Sequence, residues 1–291
     1  MPKSRFYVSP LLVLLLLSVL AYYYHAAPAP PMKIRLYTHN IRYDNRNPGA
    51  GEPYWEKRGP AVAQSIRFHT QPGLSVVCLQ EVLHHQLFGL LDTLNRHDDW
   101  SYYGVGRTDG KTQGEYAPIL FKTNDWEVVR SHTYWLSPTP EKPSKGWDAA
   151  LERIVTEVVL RSKASKKHVK VMNTHFDHVG VEARRELARL IAAKMEQGSE
   201  PVFLCGDFNT EPTDEPYHVL QSTGFKDSRV QGKGYGYGST FSGFNRKNED
   251  NTIIDYIWAG NDTQWQDYGV VPNFYDFYMS DHRPVIADYV I

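Results

Sequence analysis

The sequence has few of the residues that mark disulfide-stapled or zinc-stabilised proteins. Among 291 residues it holds two cysteines, Cys78 and Cys205, and each lies in an apolar run. Two cysteines exclude a disulfide framework, so we expect two buried thiols. A single bridge between two core strands stays open, because the compartment can be oxidising. There is also no cysteine cluster and no His-x-x-x-His spacing, so the sequence offers no zinc motif.

The sequence also lacks a basic excess. Its formal net charge is −1, and the first 31 residues contain Lys3 and Arg5 but no acid, so residues 32–291 carry −3. Domains that grip long nucleic acid usually carry a surplus of lysine and arginine. The charge balance therefore favours substrates smaller than a nucleic-acid duplex.

A long apolar run is present only at the N terminus. Two basic residues precede Phe6–Tyr24, whose centre is almost pure leucine. A positive flank before such a run is a translocation signal, and about 20 residues span a bilayer as a helix. The cleavage site is poor, so we expect a signal anchor, with a cleaved signal peptide or a buried core helix as alternatives. Ala26–Pro31 predicts a stiff Pro-rich spacer, and the domain then comprises residues 32–291.

The charge asymmetry around this segment predicts the side of the membrane on which the domain lies. Because basic flanks stay cytosolic, we expect a membrane-anchored protein with residues 32–291 on the lumenal or extracellular side. If the segment is cleaved, the protein is secreted. Asn261-Asp262-Thr263 is a glycosylation acceptor that fits this placement. The sequence thus predicts a membrane contact through the N-terminal segment and indicates no protein partner.

Apolar runs and amphipathic segments in residues 32–291 are typical of one mixed α/β domain. Helical spacing recurs from Leu83 to Leu94 and from Leu187 to Met195, and Arg161–Lys167 resembles a basic turn between two strands. The pattern fits two sheets packed face to face, but by itself does not choose them over a doubly wound sheet. Strands are predicted at Met32–Tyr37, Leu74–Leu79, Pro118–Phe121, Ile154–Leu160, Val169–Met172, Val202–Cys205, Ile253–Trp258 and Val285–Val290.

Several predicted strands end abruptly in polar side chains. A carboxylate at the end of a buried strand is costly unless it binds a cation or a hydrogen-bond partner. Six strand ends with polar side chains in one sequence are poorly explained by coincidence. Carboxylate and amide oxygens suit Mg²⁺ or Mn²⁺. The polar ends lie at Asn40, Glu81, His175, Asp207 with Asn209, Asp255, and Asp281-His282.

The same residues carry a family resemblance. Five short motifs resemble those of the endonuclease/exonuclease/phosphatase superfamily, which includes deoxyribonuclease I. They follow one another in the order that is typical of the superfamily, and the resemblance covers residues 34–290. The stretches Gly114–Ile119, Lys145–Ala150 with Arg153-Ile154-Val155, and Thr240–Phe244 resemble a bacterial and fungal branch of it. The five motifs are Asn40-Ile41-Arg42, Leu79-Gln80-Glu81-Val82, Asn173-Thr174-His175, Gly206-Asp207-Phe208-Asn209 and Ser280-Asp281-His282.

The resemblance implies a metal site that holds Mg²⁺ or Mn²⁺. Glu81 is the implied main ligand, with Asn40 and Asp281 nearby. Such a metal offsets the charge that develops on phosphate oxygens during hydrolysis.

The resemblance also implies the catalytic residues. His282 is the implied acid/base or phosphate-contacting histidine, and Asp255 orients its ring. Asp207 and Asn209 are expected to position the attacking water and the phosphate. His175 is expected to donate to a non-bridging phosphate oxygen.

Further residues have two interpretations each. Tyr116 and Arg153 are implied phosphate contacts, but Tyr116 also fits the core or the rim, and Arg153 also fits a structural ion pair. Asp177 and His178 either join the site or cap a loop, and the loop is favoured. Gly232–Gly238, which interleaves glycine with tyrosine, is either a substrate-binding loop or a mobile surface loop, and it matches no phosphate-cradling motif.

The resemblance implies a four-layer α/β sandwich of the deoxyribonuclease I type, with two mixed sheets flanked by helices. We expect residues 32–160 and 165–291 each to supply one sheet, and the site residues to converge in one cleft. The expected function is metal-dependent hydrolysis of a phosphodiester or phosphomonoester, whose source could be a lipid, a sugar phosphate or nucleic acid. The alternatives are a nuclease and a catalytically silent binding protein on the same fold, since fold alone does not fix function.

Overall fold

The structure, a computed structural model, describes residues 31–71, 73–247 and 251–291, together with Ser9 and Val13. Met32–Ile291 form one compact unit. Apart from Ser9 and Val13, the predicted membrane segment Phe6–Tyr24 lies outside the described residues, as does most of the Pro-rich spacer. No helix within the described part of the chain is long and apolar enough to cross a bilayer.

The first sheet has seven strands in the order β10-β12-β13-β1-β2-β4-β3. β1 pairs in parallel with β2 and antiparallel with β13, so the sheet is mixed. Its strands are β1 (Lys33–Asn40), β2 (Leu74–Gln80), β3 (Trp100–Tyr103), β4 (Ile119–Lys122), β10 (Tyr235–Gly236), β12 (Gln264–Val270) and β13 (Val285–Val290).

The second sheet has six strands in the order β5-β6-β7-β8-β11-β9, and it is also mixed because β7 and β8 are parallel. Its strands are β5 (Trp126–Trp135), β6 (Ile154–Ser162), β7 (His168–His175), β8 (Val202–Asp207), β9 (Lys226–Asp227) and β11 (Asp255–Ala259).

Helices cover the outer face of each sheet. α1 (Trp55–His69) and α2 (His84–Leu94) pack on the first sheet, and α3 (Val181–Met195) and α4 (Glu215–Gln221) pack on the second. The inner faces of both sheets share one apolar core, which includes Leu36. The architecture is the expected four-layer α/β sandwich.

The expectation that each half of the domain supplies one sheet is wrong. β12 and β13 from the second half join the first sheet, and β5 and β6 from the first half join the second sheet. The predicted basic turn explains part of this exchange. β6 ends at Ser162 and β7 begins at His168, and a link this short makes the two strands antiparallel neighbours in one sheet.

Buried contacts join the inner faces of the sheets. Nε2 of Gln80 donates to Oδ1 of Asn173 at 2.7 Å, and Nδ2 of Asn173 donates to the carbonyl oxygen of Leu79 at 2.8 Å. Cys78 of β2 and Cys205 of β8 lie side by side in the shared core as free thiols. The interpretation as two buried thiols is therefore confirmed.

Candidate active site

The polar strand ends meet at one end of the two sheets. Each sheet contains a parallel pair, β1–β2 and β7–β8, and parallel strands bring their carboxyl ends to the same edge. A cleft of about 600 Å³ opens there. The predicted site residues that line it are Glu81, Arg153, His175, Asp207, Asn209, Asp281 and His282.

His282 lies between two carboxylates. Its Nδ1 is 2.9 Å from Oδ2 of Asp255, and its Nε2 is 3.6 Å from Oδ2 of Asp207. Burial opposes the charged ring, but the charges of Asp255 and Asp207 raise the pKa of His282 well above its usual value. Asp255 lies behind the ring and not in the cleft lining, so it holds the imidazole with Nε2 towards Asp207.

Asn40 connects the two sheets at the site. Its Nδ2 donates to Oε1 of Glu81 at 3.0 Å and to Oδ2 of Asp207 at 2.9 Å. Its Oδ1 accepts from the backbone N–H of Arg42 at 3.0 Å. The amide nitrogen therefore faces both carboxylates, and Asn40 orients Glu81 and Asp207 relative to each other.

The side-chain amide of Asn209 fixes the orientation of His175. Nδ2 of Asn209 lies 3.0 Å from the carbonyl oxygen of Phe176 and 3.1 Å from Nε2 of His175. A carbonyl oxygen only accepts, so this nitrogen donates to both, and Nε2 of His175 is the acceptor. Burial and the charges of Arg153 and Arg107 hold the pKa of His175 well below its usual value. The neutral ring therefore carries its proton on Nδ1, which is buried without a hydrogen-bond partner.

The oxygen donors around Glu81 fit a hard divalent cation. Glu81 and Asp281 both line the cleft, and burial together with the charge of Glu81 raises the pKa of Asp281. A cation between these carboxylates would offset their repulsion. Across the described residues, Asp207, Asp255 and His282 are the one trio of candidate ligands whose donor atoms all lie within 4.8 Å. Since Asp255 already occupies Nδ1 of His282, the Glu81 side is the better candidate.

Arg153 is held with one guanidinium nitrogen unused. Its Nε donates to Oδ2 of Asp177 at 3.2 Å, and its Nη2 lies 3.0 Å from Nδ1 of His178. Nη1 is buried and has no partner. Asp177 also accepts from the backbone N–H groups of Val179 and Gly180, so it caps the loop as expected. His178 lines the cleft, which corrects its assignment to the loop alone.

The structure does not bring Tyr116 into the cleft. The residue is buried, its hydroxyl donates to the carbonyl oxygen of Lys111 at 2.8 Å, and Nδ1 of His84 lies 2.9 Å away. The hydroxyl is thus already hydrogen-bonded, and the core position is the one observed. Tyr116 is therefore not available as a phosphate contact.

Sequence reasoning missed several cleft residues. Arg107 donates to Oε1 of Glu115 at 2.9 Å, and Oε2 of Glu115 lies 3.8 Å from Nδ1 of His175. Arg42 lies 3.8 Å from Glu81 and also lines the cleft. Arg42 and Glu115 stood inside motifs that carried the family resemblance, so they could have been found. Arg107 lies in an irregular loop with no such signal.

Arg58 organises the loops beneath these side chains. This arginine is almost fully buried on α1, and it donates to backbone oxygens on both sides of the site, including those of Ile41 and Met279. It therefore ties the loop after β1 to the segment before Asp281.

Three site residues adopt a strained backbone. Arg42, Glu81 and Asn209 have φ angles of 59°, 59° and 44°. Such conformations cost on the order of 1–3 kcal/mol each for most residues, and they persist where surrounding contacts impose them. At the turn after β2, the carboxylate of Glu81 accepts from Nδ2 of Asn40 and from the backbone N–H of Tyr43.

Comparison with known proteins identifies the family. The model of the Endonuclease/Exonuclease/phosphatase family matches residues 37–282. The chain belongs to this family, whose members are typically hydrolases that act on phosphoesters.

Solved structures of bacterial proteins cover nearly the whole domain. An endonuclease/exonuclease/phosphatase family protein from Bacteroides thetaiotaomicron has a TM-score of 0.84 and 32% identity, over 90% of this chain and 99% of that one. A mannosyl-6-phosphatase from Bacteroides thetaiotaomicron VPI-5482 has a TM-score of 0.81 and 31% identity, over 89% of this chain and 100% of that one.

A curated relative matches only locally. Uncharacterized protein L388 of Acanthamoeba polyphaga mimivirus is 33% identical over 91 residues, which are 29% of this chain and 32% of that protein. The chain thus spans about a third of the length of this relative.

Proposed function

We propose that the protein is a metal-dependent phosphoesterase that hydrolyses a sugar phosphate. The observation that carries the proposal is the convergence of Glu81, Asp207, Asp281 and the His282–Asp255 pair on one cleft. The similarity to a mannosyl-6-phosphatase supports the substrate class. The absence of a basic excess in residues 32–291 weighs against long nucleic acid.

Glu81 and Asp281 are the residues we propose to hold Mg²⁺ or Mn²⁺, with Asn40 fixing the position of Glu81. When bound, the cation would supply Lewis-acid stabilisation of charge on phosphate oxygens. The lining of the cleft supplies further donors for the same charge. Nη1 of Arg153 and Nδ1 of His175 are buried hydrogen-bond donors without partners, so a phosphate oxygen would satisfy each.

Asp207 and His282 are the proposed proton-handling pair. Burial raises the pKa of Asp207, so its carboxylate is a stronger base that can accept a proton from an attacking water. The adjacent imidazole of His282, held by Asp255, can present its Nε2 proton to an oxygen of the phosphate or of the leaving group. Asn209 positions His175 beside this pair.

A catalytically silent binding protein on this fold is the competing function. Such a protein would be expected to have lost at least one of Glu81, Asp207, Asp255 and His282. All four are present: His282 is hydrogen-bonded to Asp255, and Asn40 donates to both Glu81 and Asp207. The retained geometry favours an active enzyme.

The test is a substrate panel with the purified full-length protein. The panel contains mannose 6-phosphate, bis-p-nitrophenyl phosphate, sphingomyelin, a phosphoinositide, RNA and plasmid DNA, each with Mg²⁺, Mn²⁺ or EDTA. We expect turnover of the sugar phosphate that requires the cation. Hydrolysis that persists in EDTA would rule out the proposed mechanism, and preference for DNA or lipid would rule out the substrate class.

Glu81→Gln is the matched variant for the same assay. It keeps the size of the side chain but removes the anionic ligand, so cation-dependent turnover should fall by about 10²-fold or more. Glu56→Gln, on the exposed face of α1, is the control and should retain full activity. Equal activity of the two variants would contradict the assignment of Glu81.

A further inference from the structure

The glycine–tyrosine segment 232–238 lies flat on the edge of the first sheet. A Cβ on Gly234 would lie 2.6 Å from the ring of Tyr268, and one on Gly236 would collide with the carbonyl oxygen of Val270. Tyr235 and Gly236 form β10, which pairs with β12. The glycines therefore face β12, and the segment is a short edge strand, since close backbone approach requires residues without side chains.

The tyrosine side chains of this segment are exposed. Tyr235 is 80% exposed and Tyr237 is 46% exposed. The ring of Tyr237 is stacked on the guanidinium of Arg283, 4.3 Å from its carbon to the ring centroid, and the backbone N–H of Tyr237 donates to Val270 at 3.0 Å. Two aromatic rings are thus presented to solvent by a fixed backbone.

These rings border a second cavity, which we call the tyrosine pocket. It has a volume of about 280 Å³ and is lined by Arg229, Tyr235, Tyr237, Thr240, Ile253 and Tyr268, together with glycines and Val270. This size approaches the lower end of small-ligand sites and suits one sugar ring.

The tyrosine pocket shares a wall with the active cleft. The wall is made of two hydrogen-bonded segments, in which Thr240 and Phe241 both donate from their backbone N–H groups to the carbonyl oxygen of Thr252. Thr240 and Ile253 line the tyrosine pocket, whereas Phe241, Thr252 and Ile254 line the active cleft. Neighbouring residues of one wall therefore face two different cavities.

The charge of the tyrosine pocket favours a neutral ligand. Of the described residues that line it, Arg229 alone is charged, and its Nη2 lies 3.3 Å from Oδ2 of Asp227. A stacked nucleotide would bring phosphates that require unpaired cations. A sugar ring stacks its apolar face on an aromatic ring and bonds its hydroxyls to polar groups at the edge, which these tyrosines can provide.

We infer that the tyrosine pocket binds a sugar ring of a glycan whose phosphate group occupies the active cleft. This inference rests on the proposed function for its second half. It assigns Tyr235 and Tyr237 to substrate selection, because they contact the glycan away from the phosphate. A monosaccharide phosphate occupies only the active cleft, so its binding does not depend on Tyr235 or Tyr237.

The experiment compares Tyr235→Ala, Tyr235→Phe and wild type with two substrates, mannose 6-phosphate and a mannotriose phosphorylated on a terminal sugar. In Tyr235→Ala we expect KM for the mannotriose phosphate to rise about tenfold, the order expected for losing one aromatic contact. The kinetics with mannose 6-phosphate should not change. Tyr235→Phe keeps the ring but loses the hydroxyl, so KM for the mannotriose phosphate should lie between the values of wild type and Tyr235→Ala. Phe68→Ala removes an equally exposed aromatic residue elsewhere and is the control.

A binding assay separates this inference from the proposed function. Saturation-transfer NMR with unphosphorylated mannotriose should show binding to wild type and to Glu81→Gln, and no binding to Tyr235→Ala. Binding lost only in Tyr235→Ala upholds the tyrosine pocket even if no sugar phosphate is hydrolysed. Equal signals in wild type and Tyr235→Ala, or Tyr235-dependent binding of a single-stranded oligonucleotide instead, would overturn it.

Discussion

Nδ2 of Asn209 lies 3.1 Å from Nε2 of His175 and 3.0 Å from the carbonyl oxygen of Phe176. One amide group thus decides which nitrogen of His175 carries the proton. The single N–H proton of the neutral ring, on Nδ1, lies beside the ion pair of Arg107 and Glu115. Asn209 therefore fixes His175 as a hydrogen-bond donor through Nδ1.

The first prediction concerns this tautomer. Asn209→Asp replaces the donating nitrogen with an acceptor oxygen, which then faces the carbonyl oxygen of Phe176. Because this oxygen accepts a hydrogen bond, the proton of His175 moves to Nε2. We expect turnover to fall by about 10²-fold, the effect of losing one oriented donor to the transition state. Long-range ¹H–¹⁵N NMR should show an Nδ1–H ring in the wild type. An Nε2–H ring in the wild type would refute the assignment, and Asn47→Asp, on the surface, is the control.

The second prediction concerns Asp255. Asp255→Asn keeps the size of the side chain, but the amide can present a donor to Nδ1 of His282 and so select the wrong tautomer. We expect kcat to drop by about 10²-fold or more, with KM for the phosphate ester nearly unchanged, because Asp255 does not line the cleft. Steady-state kinetics and a thermal unfolding curve check the result. A variant with normal kcat would show that the pair only supports the fold.

The third prediction concerns stability and pH. Burial opposes the charge of Asp177, but N–H groups of Gly180, Val179 and Ala150 and the charge of Arg153 hold its pKa below the usual value. A carboxyl with a depressed folded pKa stabilises the protein above the unfolded pKa of about 3.9, and this contribution is lost as pH falls through the folded value. Asp177→Asn should therefore cost about 2 kcal/mol at pH 7, since hydrogen bonds to charged groups contribute about 1.5–3 kcal/mol.

Denaturant unfolding of wild type and Asp177→Asn at pH 7 and at pH 3 measures this effect. The difference in unfolding free energy between them should shrink at the lower pH. Asp92→Asn changes an exposed i,i+4 pair with Arg96, and such pairs contribute little, so it serves as the control. A difference that does not depend on pH would show that the charge of Asp177 is not involved.

The fourth prediction concerns location. We propose that Phe6–Tyr24 anchors the protein and that residues 32–291 lie on the lumenal or extracellular side. Asn261 is exposed in the turn between β11 and β12, so it should accept a glycan. Protease protection on intact microsomes, carbonate extraction and the mobility of Asn261→Gln measure these properties. Digestion without detergent would place the domain in the cytosol, and release by carbonate would indicate a cleaved signal.

Strands with two buried faces were predictable from the sequence, and polar edge elements were not. β13 has the predicted bounds, Val285–Val290, and β8 extends the predicted run by two residues to Asp207. β5 was missed because most of its residues face solvent and show no apolar run. α1 was missed because the buried Arg58 and the internal Pro60 interrupt its apolar stripe.

The same contrast applies to the site. Glu81, Asp207 and His282 were found because a polar residue at the end of a buried strand requires an explanation. For Tyr116 the sequence left two interpretations open, because its sequence neighbourhood does not reveal the hydrogen bonds of its hydroxyl with Lys111 and His84. Arg107 depends on the path of an irregular loop, which no local pattern specifies.

The exchange of strands between the halves also has a consequence for biosynthesis. β13 lies between β1 and β12, so the first sheet stays open in its middle until the chain has been synthesised as far as Val290. Asp281 and His282 reach the cleft only when β13 docks, although Glu81 has left the ribosome some 200 residues earlier, about 10–40 s at typical elongation rates. A nascent chain therefore carries the site without Asp281 and His282, and its β1 edge is unpaired. Protection of that edge by a chaperone should matter more for this protein than for one whose sheets close in chain order.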